Sequence, residues 1–280
     1  MGIGYINGKY IPLTEPVIPI EERGHQYGDG VYEVIRVYKG KPFMLSEHID
    51  RLFISATAIK LQLECNKSYF NDLIKQAIKV SGLLESKIYL QITRGIAPRN
   101  HLFPDVPVSI TMTVNEMIPL DPVFRESGVK AIFHEDERWA NCHIKSLNLL
   151  PNILAKQAAQ EMGCFEAILH RDGWITEGSS SNIFIVKNNE LYTTPLSNKI
   201  LAGITRRAVI QLCEKLSINV IQHPFRKKDL IEADEVFMTN TTNEVVPIVE
   251  VDGIYKIGFG TPGNMTKRLY QQFQQEIYQD

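Results

Sequence analysis

The sequence predicts an α+β chain in two domains, and three features carry that reading. Asn7-Gly8, set between aromatic and β-branched flanks, opens the chain with a strong hairpin signal. Strand-like alternations and helical stripes then follow in a mixed order that leaves most strands with antiparallel neighbours. Met117-Ile118-Pro119-Leu120-Asp121-Pro122 has the prolines and extended character of a linker, so the domains are expected at 1–118 and 124–280, joined through 119–123. A chain of 280 residues is long enough to give each domain its own core.

Taken in order, Gly24, Gly28 and Gly30 punctuate a loop that leads into a strand over 31–38, on which Tyr32, Val34 and Arg36 share one face. Ser46 is read as the N-cap of a helix whose stripe is Ile49, Leu52, Phe53, Ala56 and Ile59, with Arg51 on its border. A second helix over about 69–80 stops at Ser81-Gly82, and strands are expected at 88–93 and 108–114. Between those strands, Arg94-Gly95-Ile96-Ala97-Pro98-Arg99-Asn100-His101 forms a loop dense in donors for an anion. Past the linker come a strand over 129–134, a helix over 148–162 with Pro151 in its first turn, and a meander of short strands from 165 to 194. A helix over 204–216, strands at 236–238 and 245–251, and a last helix capped by Thr261-Pro262 complete the pattern; Met265, Leu269, Phe273 and Ile277 form its stripe.

The net charge of −2 and pI near 6.4 provide no basic field for a polyanion, which argues against nucleic acid as a partner. The first twenty residues hold no uninterrupted apolar core for a signal peptide, and no later run is long enough to cross a bilayer. A cytoplasmic protein is expected. Cys65, Cys142, Cys164 and Cys213 are scattered without the close pairs of a metal site and read as free thiols in packed positions.

The chemistry concentrates in four short stretches. Cys-His-Ile-Lys-Ser-Leu-Asn (142–148) sets Lys145 among apolar neighbours just before a helix. A lysine attacks a carbonyl to form a Schiff base only when its ammonium form is disfavoured; taken alone, the heptapeptide better suits a lysine snorkelling from a strand end. Trp-Ile-Thr-Glu-Gly-Ser-Ser-Ser-Asn (174–182) carries one carboxylate, Glu177, in a hydroxyl-rich loop. Leu-Ala-Gly-Ile-Thr-Arg (201–206) and Met-Thr-Asn-Thr-Thr-Asn-Glu (238–244) bring hydroxyls to a helix start or a strand end, where backbone N–H groups favour a phosphate.

In these motifs and their order, from Arg-Gly-His-Gln-Tyr-Gly-Asp-Gly-Val-Tyr-Glu (23–33) to Asn-Glu-Val-Val-Pro (243–247), the chain resembles the fold type IV family of pyridoxal-phosphate enzymes. That family holds branched-chain aminotransferases, aminodeoxychorismate lyases and D-amino acid transaminases. The resemblance implies a two-layer N-terminal domain, a barrel-like C-terminal domain and an active site between them in a homodimer, at the subunit interface. It implies pyridoxal 5'-phosphate as cofactor, Lys145 as the Schiff-base lysine and proton carrier, and Glu177 facing the pyridine nitrogen. Arg51, the Ile204-Thr205 backbone and hydroxyl, and Thr241 would clamp the phosphate, with Thr239 and Thr242 offering the same hydroxyl beside Thr241. Tyr32, Arg99 and His101 would grip the substrate carboxylate, the loop pair coming from the neighbouring subunit. The Pro-Arg-Asn-His form of that loop resembles the D-specific members, so the expected substrates are D-amino acids and 2-oxo acids. An L-specific branched-chain aminotransferase and an aminodeoxychorismate lyase are the alternatives within the same fold type.

Overall fold

The computed structural model describes residues 2–279. Its contacts divide the chain into two units, Met1–Ile118 with Ile144–Asn148, and Pro119–His143 with Leu149–Asp280. Residues 144–148, placed in the second domain by the sequence, therefore group with the first, because their backbone hydrogen bonds run there.

The first unit contains β1 (Ile3–Ile6), β2 (Lys9–Ile11), α1 (Arg23–Tyr27), β3 (Gly30–Tyr38), β4 (Lys41–Pro42), α2 (Leu45–Ala58), α3 (Lys67–Ser81), β5 (Ser86–Thr93) and β6 (Ser109–Glu116). Its sheet runs β2-β1-β6-β5-β3-β4 and is antiparallel throughout. Asn7 (φ 42°) and Gly8 (φ 97°) make the opening turn, as a tight hairpin requires. One face of the sheet is covered by α2 and α3: Val31, Ile35, Ile88, Leu90 and Ile92 cluster with Ile49, Leu52, Phe70 and Ile74. Each such side chain, fully buried, contributes about 1.5–3 kcal/mol.

Helix α2 starts from Met44, which takes a left-handed φ of 48° and offers no side-chain cap, so Ser46 lies inside the helix. Helix α3 is capped by Asn66, whose side chain accepts from the Tyr69 N–H, and is closed by Gly82 at φ 66°. Helix α1, read as loop, starts with the Glu22 carboxylate accepting from the His25 N–H and stops at the left-handed Gly28.

The second unit holds α4 (Val123–Glu126), β7 (Val129–Glu135), α5 (Leu150–Glu161), β8 (Glu166–Arg171), β9 (Trp174–Gly178), β10 (Asn182–Lys187), β11 (Glu190–Thr193), α6 (Ile204–Lys215), β12 (Val220–Gln222), α7 (Lys227–Ile231), β13 (Glu235–Asn240), β14 (Glu244–Val251), β15 (Tyr255–Lys256) and α8 (Asn264–Gln279). Its sheet runs β12-β11-β10-β13-β14-β7-β8-β9, with β15 on β14. The parallel pair β7–β8 needs a crossover, which α5 supplies by packing Ala155 and Ala159 with Ile132, Ala167 and Leu169. Residues after β12, at one end of the sheet, bond to β9 at the other: the Ile175 N–H donates to the Phe225 carbonyl, and Trp174 bridges to Arg226. The sheet thus curls into a barrel-like unit around Ile168, Ile183, Val236, Met238 and Val246. Helix α8 begins at Asn264, beyond the expected Thr261-Pro262 cap, because the Glu235 carboxylate of β13 accepts from the N–H groups of Met265 and Thr266. Among the described residues no helix is long and apolar enough to cross a membrane.

A buried carboxylate lies against the first core. Glu33, fully buried on β3, takes a two-pronged bond from Arg51 (Nε to Oε1 2.7 Å, Nη2 to Oε2 2.8 Å) and pairs with His48 Nδ1 at 2.7 Å. Burial opposes its charge, but Arg51 and then His48 bring the carboxyl down to about 2. A carboxyl lowered by folding stabilises the fold above its ordinary value of 4.5, and that contribution is lost as pH falls from there through about 2. Glu33→Gln should therefore cost about 3–5 kcal/mol at neutral pH by removing the buried charge that Arg51 and His48 pair with. Denaturant unfolding at several pH values should also show the variant losing less stability than the unchanged protein on acidification below pH 4.5; parallel acid profiles would refute this.

Candidate active site

Lys145 is held to β3 as a strand would be. The Tyr32 N–H donates to the Lys145 carbonyl at 3.0 Å, the Leu147 N–H to the Gly30 carbonyl at 3.1 Å, and Val31 bridges to Ser146. The Lys145 N–H donates to Ser55 Oγ of α2 at 3.1 Å. This clasp leaves Lys145 half-buried, with Nζ 4.2 Å from the centre of the Tyr32 ring, which stacks on Tyr89 with centroids 5.5 Å apart. The alternation of β3 puts Tyr32 on the opposite face from Glu33, so one strand presents the aromatic ring to the amine and the carboxylate to α2. His48, Arg51 and Ser55 lie three to four residues apart on α2, forming a polar stripe that serves Glu33 and the lysine backbone. Burial pushes the His48 imidazole down, Glu33 opposes this, and the nearby charges of Arg51 and Lys145 add to the fall.

Arg51, predicted as a phosphate donor, is 8% exposed and gives two of its donors to Glu33. Arg99 and His101 come together on an exposed loop around another aromatic residue, Tyr27: the Arg99 guanidinium lies 4.5 Å from that ring centre and the His101 ring 5.7 Å away. No direct contact joins either of them to Tyr32 among the described side-chain interactions.

In the second unit Glu177 sits on β9, 4% exposed. Its Oε1 receives Arg138 Nη1, and its Oε2 receives Asn182 Nδ2 at 3.0 Å and the Leu201 N–H at 3.0 Å. A carboxylate has about four acceptor positions, so three are used. Burial pushes Glu177 up to about 7 despite the pull of Arg138 and the Leu201 N–H. Although burial opposes the charge of Arg138 as well, Asp136 and Glu177 raise its pKa above the ordinary guanidinium value. Asp136 takes Arg138 Nε and Nη2 at 2.8 and 2.9 Å, and also Arg171 Nε at 3.2 Å and the Thr176 hydroxyl at 2.9 Å.

Helix α6 begins at Ile204, preceded by Gly203, where a Cβ would lie 2.0 Å from Asn182 Oδ1. Its first intrahelical bond is Arg207 N–H to Gly203 O, and Gly203 has no side chain to cap the N–H groups of Ile204, Thr205 and Arg206. Thr205 is buried there; Arg206 beside it turns Nη2 to the Thr194 carbonyl and Gln222 Oε1, and burial holds its guanidinium down to about 10. Thr241 is half-buried where β13 turns into β14; Thr242 donates to Asn240 Oδ1, while the buried Thr239 hydroxyl has no partner among the described residues.

Sequence reasoning missed Glu33 and His48, and it also missed Arg138, Asp136 and Asn182. The polar spacing 48, 51, 55 along an otherwise apolar stripe was the available signal for His48, whereas Arg138 lies 39 residues from the carboxylate it holds and carried none. An amine, a carboxylate with one acceptor position open and an uncapped helix start with a buried hydroxyl have the donor chemistry that pyridoxal phosphate requires. No group of three or more His, Cys, Asp or Glu residues suited to a metal ion occurs among the described residues.

The model of the amino-transferase class IV family matches residues 30–251. The chain is 44% identical over 271 residues to a D-alanine aminotransferase of Bacillus licheniformis, covering 97% of this chain and 95% of that one. It is 40% identical over 276 residues to a D-alanine aminotransferase of Staphylococcus haemolyticus, covering 98% and 97%. Among solved structures, the branched-chain amino acid aminotransferase of Escherichia coli superposes with a TM-score of 0.91 at 27% identity, covering 98% of this chain and 93% of that one. A second branched-chain amino acid aminotransferase, from T.th. and solved with pyridoxamine 5'-phosphate, gives 0.91 at 28%, covering 99% and 94%.

The environment of Glu177 predicts its titration. A carboxyl raised by folding favours the fold while protonated; that contribution is whole below the ordinary value of 4.5 and is lost as pH rises through about 7. In the cofactor-free protein the infrared band of a buried carboxylic acid should fade as pH rises through about 7, be missing in Glu177→Gln, and persist to higher pH in Arg138→Met. Only bands titrating near 4.5 would contradict the assignment.

Proposed function

Because the chain belongs to the amino-transferase class IV family, we propose that it exchanges the amino group between D-amino acids and 2-oxo acids, with D-alanine and 2-oxoglutarate giving pyruvate and D-glutamate. The observation that carries the reading is the pairing of Tyr32 on β3 with Lys145, which is hydrogen-bonded to that strand and sets its amine over the Tyr32 ring. The D-alanine aminotransferases to which nearly the whole chain is similar supply the substrate class.

Pyridoxal phosphate, when bound, supplies an electron sink for the pair of electrons left when the α-proton departs. Lys145 would hold it covalently, and the freed Nζ would then carry that proton. Glu177 would offer its open acceptor position to the pyridine N–H, with Arg138, Asn182 and the Leu201 N–H fixing its orientation. The N–H groups at the start of α6, the Thr205 hydroxyl, Thr241 and Arg51 would take the phosphate. Tyr32, with Arg99 and His101 of a second copy, would grip the α-carboxylate and so decide which α-hydrogen meets the lysine.

A homodimer accounts for apolar side chains that α5 and the 94–105 loop leave in solvent: Leu150, Ile153, Leu154, Leu102 and Phe103 are 54–76% exposed. The free thiols suit the reducing cytoplasm.

A panel of D- and L-amino acids with 2-oxoglutarate tests the substrate class, and turnover of L-leucine or L-isoleucine without D-alanine would overturn it. Lys145→Ala should abolish turnover while noncovalent cofactor binding persists; sustained transamination without added amine would show the lysine to be misassigned. Arg99→Leu should weaken amino-acid binding by about 2–5 kcal/mol, the cost of removing a charge partner from a partly desolvated pair. Mixing Arg99→Leu with Lys145→Ala under subunit exchange should form heterodimers with one intact site and restore part of the activity. No recovery despite proven exchange would place Arg99 in its own chain's site or in none.

A further inference from the structure

The stretch Arg23-Gly24-His25-Gln26-Tyr27-Gly28-Asp29 has no task in the proposed reaction, yet it is wired to the loop that carries Arg99 and His101. Arg23 is 3% exposed. Its Nε donates to Asp29 Oδ2 at 2.9 Å and its Nη1 to the carbonyl of Asn100 at 2.6 Å, the residue between Arg99 and His101. Asp29 also accepts from Arg94 Nε at 2.9 and 3.1 Å, while the other nitrogens of Arg94 reach the carbonyls of Ile59 and Lys60. Backbone bonds join the same segments, from the Arg23 N–H to the Gly95 carbonyl, from the Arg94 N–H to the Asp29 carbonyl and from the Ala97 N–H to the Glu21 carbonyl. The loop is thus tied at its root by Arg94 and in its middle by Arg23.

Tyr27 completes the arrangement. Its ring is approached by the guanidinium groups of Arg23 at 4.9 Å and Arg99 at 4.5 Å, and by the His101 ring edge-on at 5.7 Å. The Tyr27 hydroxyl is buried and makes no hydrogen bond among the described residues, so what the residue contributes is its π face. Two long side chains on an exposed loop would otherwise wander; a shared aromatic surface orders them before a ligand arrives and lowers the entropy lost on binding.

We propose that Arg23 and Tyr27 are positioning residues for the carboxylate grip: Arg23 fixes the backbone between Arg99 and His101, and the Tyr27 ring holds their side chains next to each other so that both reach one carboxylate. The proposal rests on the reading of Arg99 and His101 as that grip. Its consequence is that substrate affinity depends on a ring that never touches substrate, and that the ring belongs to the chain that carries Arg99.

The test compares Tyr27→Leu, Tyr27→Phe, Arg99→Leu and the double variant Tyr27→Leu/Arg99→Leu as holoenzymes. It measures KM and kcat for D-alanine, and calorimetric binding of propionate, a carboxylate with no amine to transfer. Tyr27→Leu should raise KM and the propionate Kd roughly tenfold, the order expected for loss of a partly shielded cation–π contact, with kcat changed less than about threefold. Tyr27→Phe should stay within about twofold of the unchanged protein, since the ring face survives. In the Arg99→Leu background, Tyr27→Leu should add much less than it does alone, the mark of two residues acting through one contact. Equal losses in the leucine and phenylalanine variants, or full additivity, would overturn the proposal. So would unchanged affinity in Tyr27→Leu while Arg99→Leu is impaired. If Arg99→Leu itself bound propionate normally, the grip would fall, and the positioning role with it. Should Tyr27→Leu not fold, Tyr27→Met removes the ring while filling its space and carries the same expectations.

Discussion

The hydrogen bonds that clasp residues 145–147 to β3 are the constraint on which the rest of the candidate chemistry depends. They fix a flexible four-carbon side chain at its root. They also set register, since a slip by one residue would turn every β3 side chain to the other face. In the register observed, the Tyr32 ring lies beneath the amine while Val31, Glu33 and Ile35 point into the core. Glu33 then dictates the polar stripe of α2, because a buried carboxylate without partners would be far costlier than the helix can tolerate. Ser55, on that same stripe, returns to the lysine by accepting its N–H.

Two buried glutamates show how far geometry decides charge. Glu33 and Glu177 are both almost wholly out of solvent, yet one is brought down to about 2 and the other pushed up to about 7. Glu33 has both oxygens matched by the fork of Arg51, with His48 in addition. Glu177 meets one nitrogen of Arg138, which divides its charge with Asp136. The remaining donors to Glu177 are neutral and compensate burial less. The first carboxylate is structural, its charge met by the Arg51 guanidinium. The second is left short of positive charge, a condition that a protonated ring nitrogen would relieve.

Where local chemistry decides the backbone, the sequence was legible. Asn7-Gly8, the glycine stop at Gly82 and Pro151 in the first turn of α5 each act within a few residues and lie where expected. The fold class and the class IV family were legible too, through motifs that need special residues at fixed spacing. What failed was decided at a distance. Helix α1 has no apolar period and exists because Glu22 caps it and Arg23 is pulled to Asp29 and Asn100. The start of α8 is set by a carboxylate on β13, and β12 is a three-residue parallel edge strand ordered by β11. Arg138 stands in Glu135-Asp136-Glu137-Arg138, a run that reads as solvated charge; only folding shows Asp136 and Arg138 buried together.

The grouping of residues 144–148 with the first unit bears on how the chain is made. As the polypeptide leaves the ribosome, residues 1–118 emerge with β3 still lacking the hydrogen bonds that Lys145 and Leu147 complete, and with Ile144 missing from the core. The first unit therefore completes these hydrogen bonds and contacts only once residues 144–148 have been synthesised, by which time β7 is also present. The two units thus cannot be completed strictly one after the other along the chain. Until then the β3 groups that pair with Lys145 and Leu147 stay open to capture by chaperones or by neighbouring nascent chains.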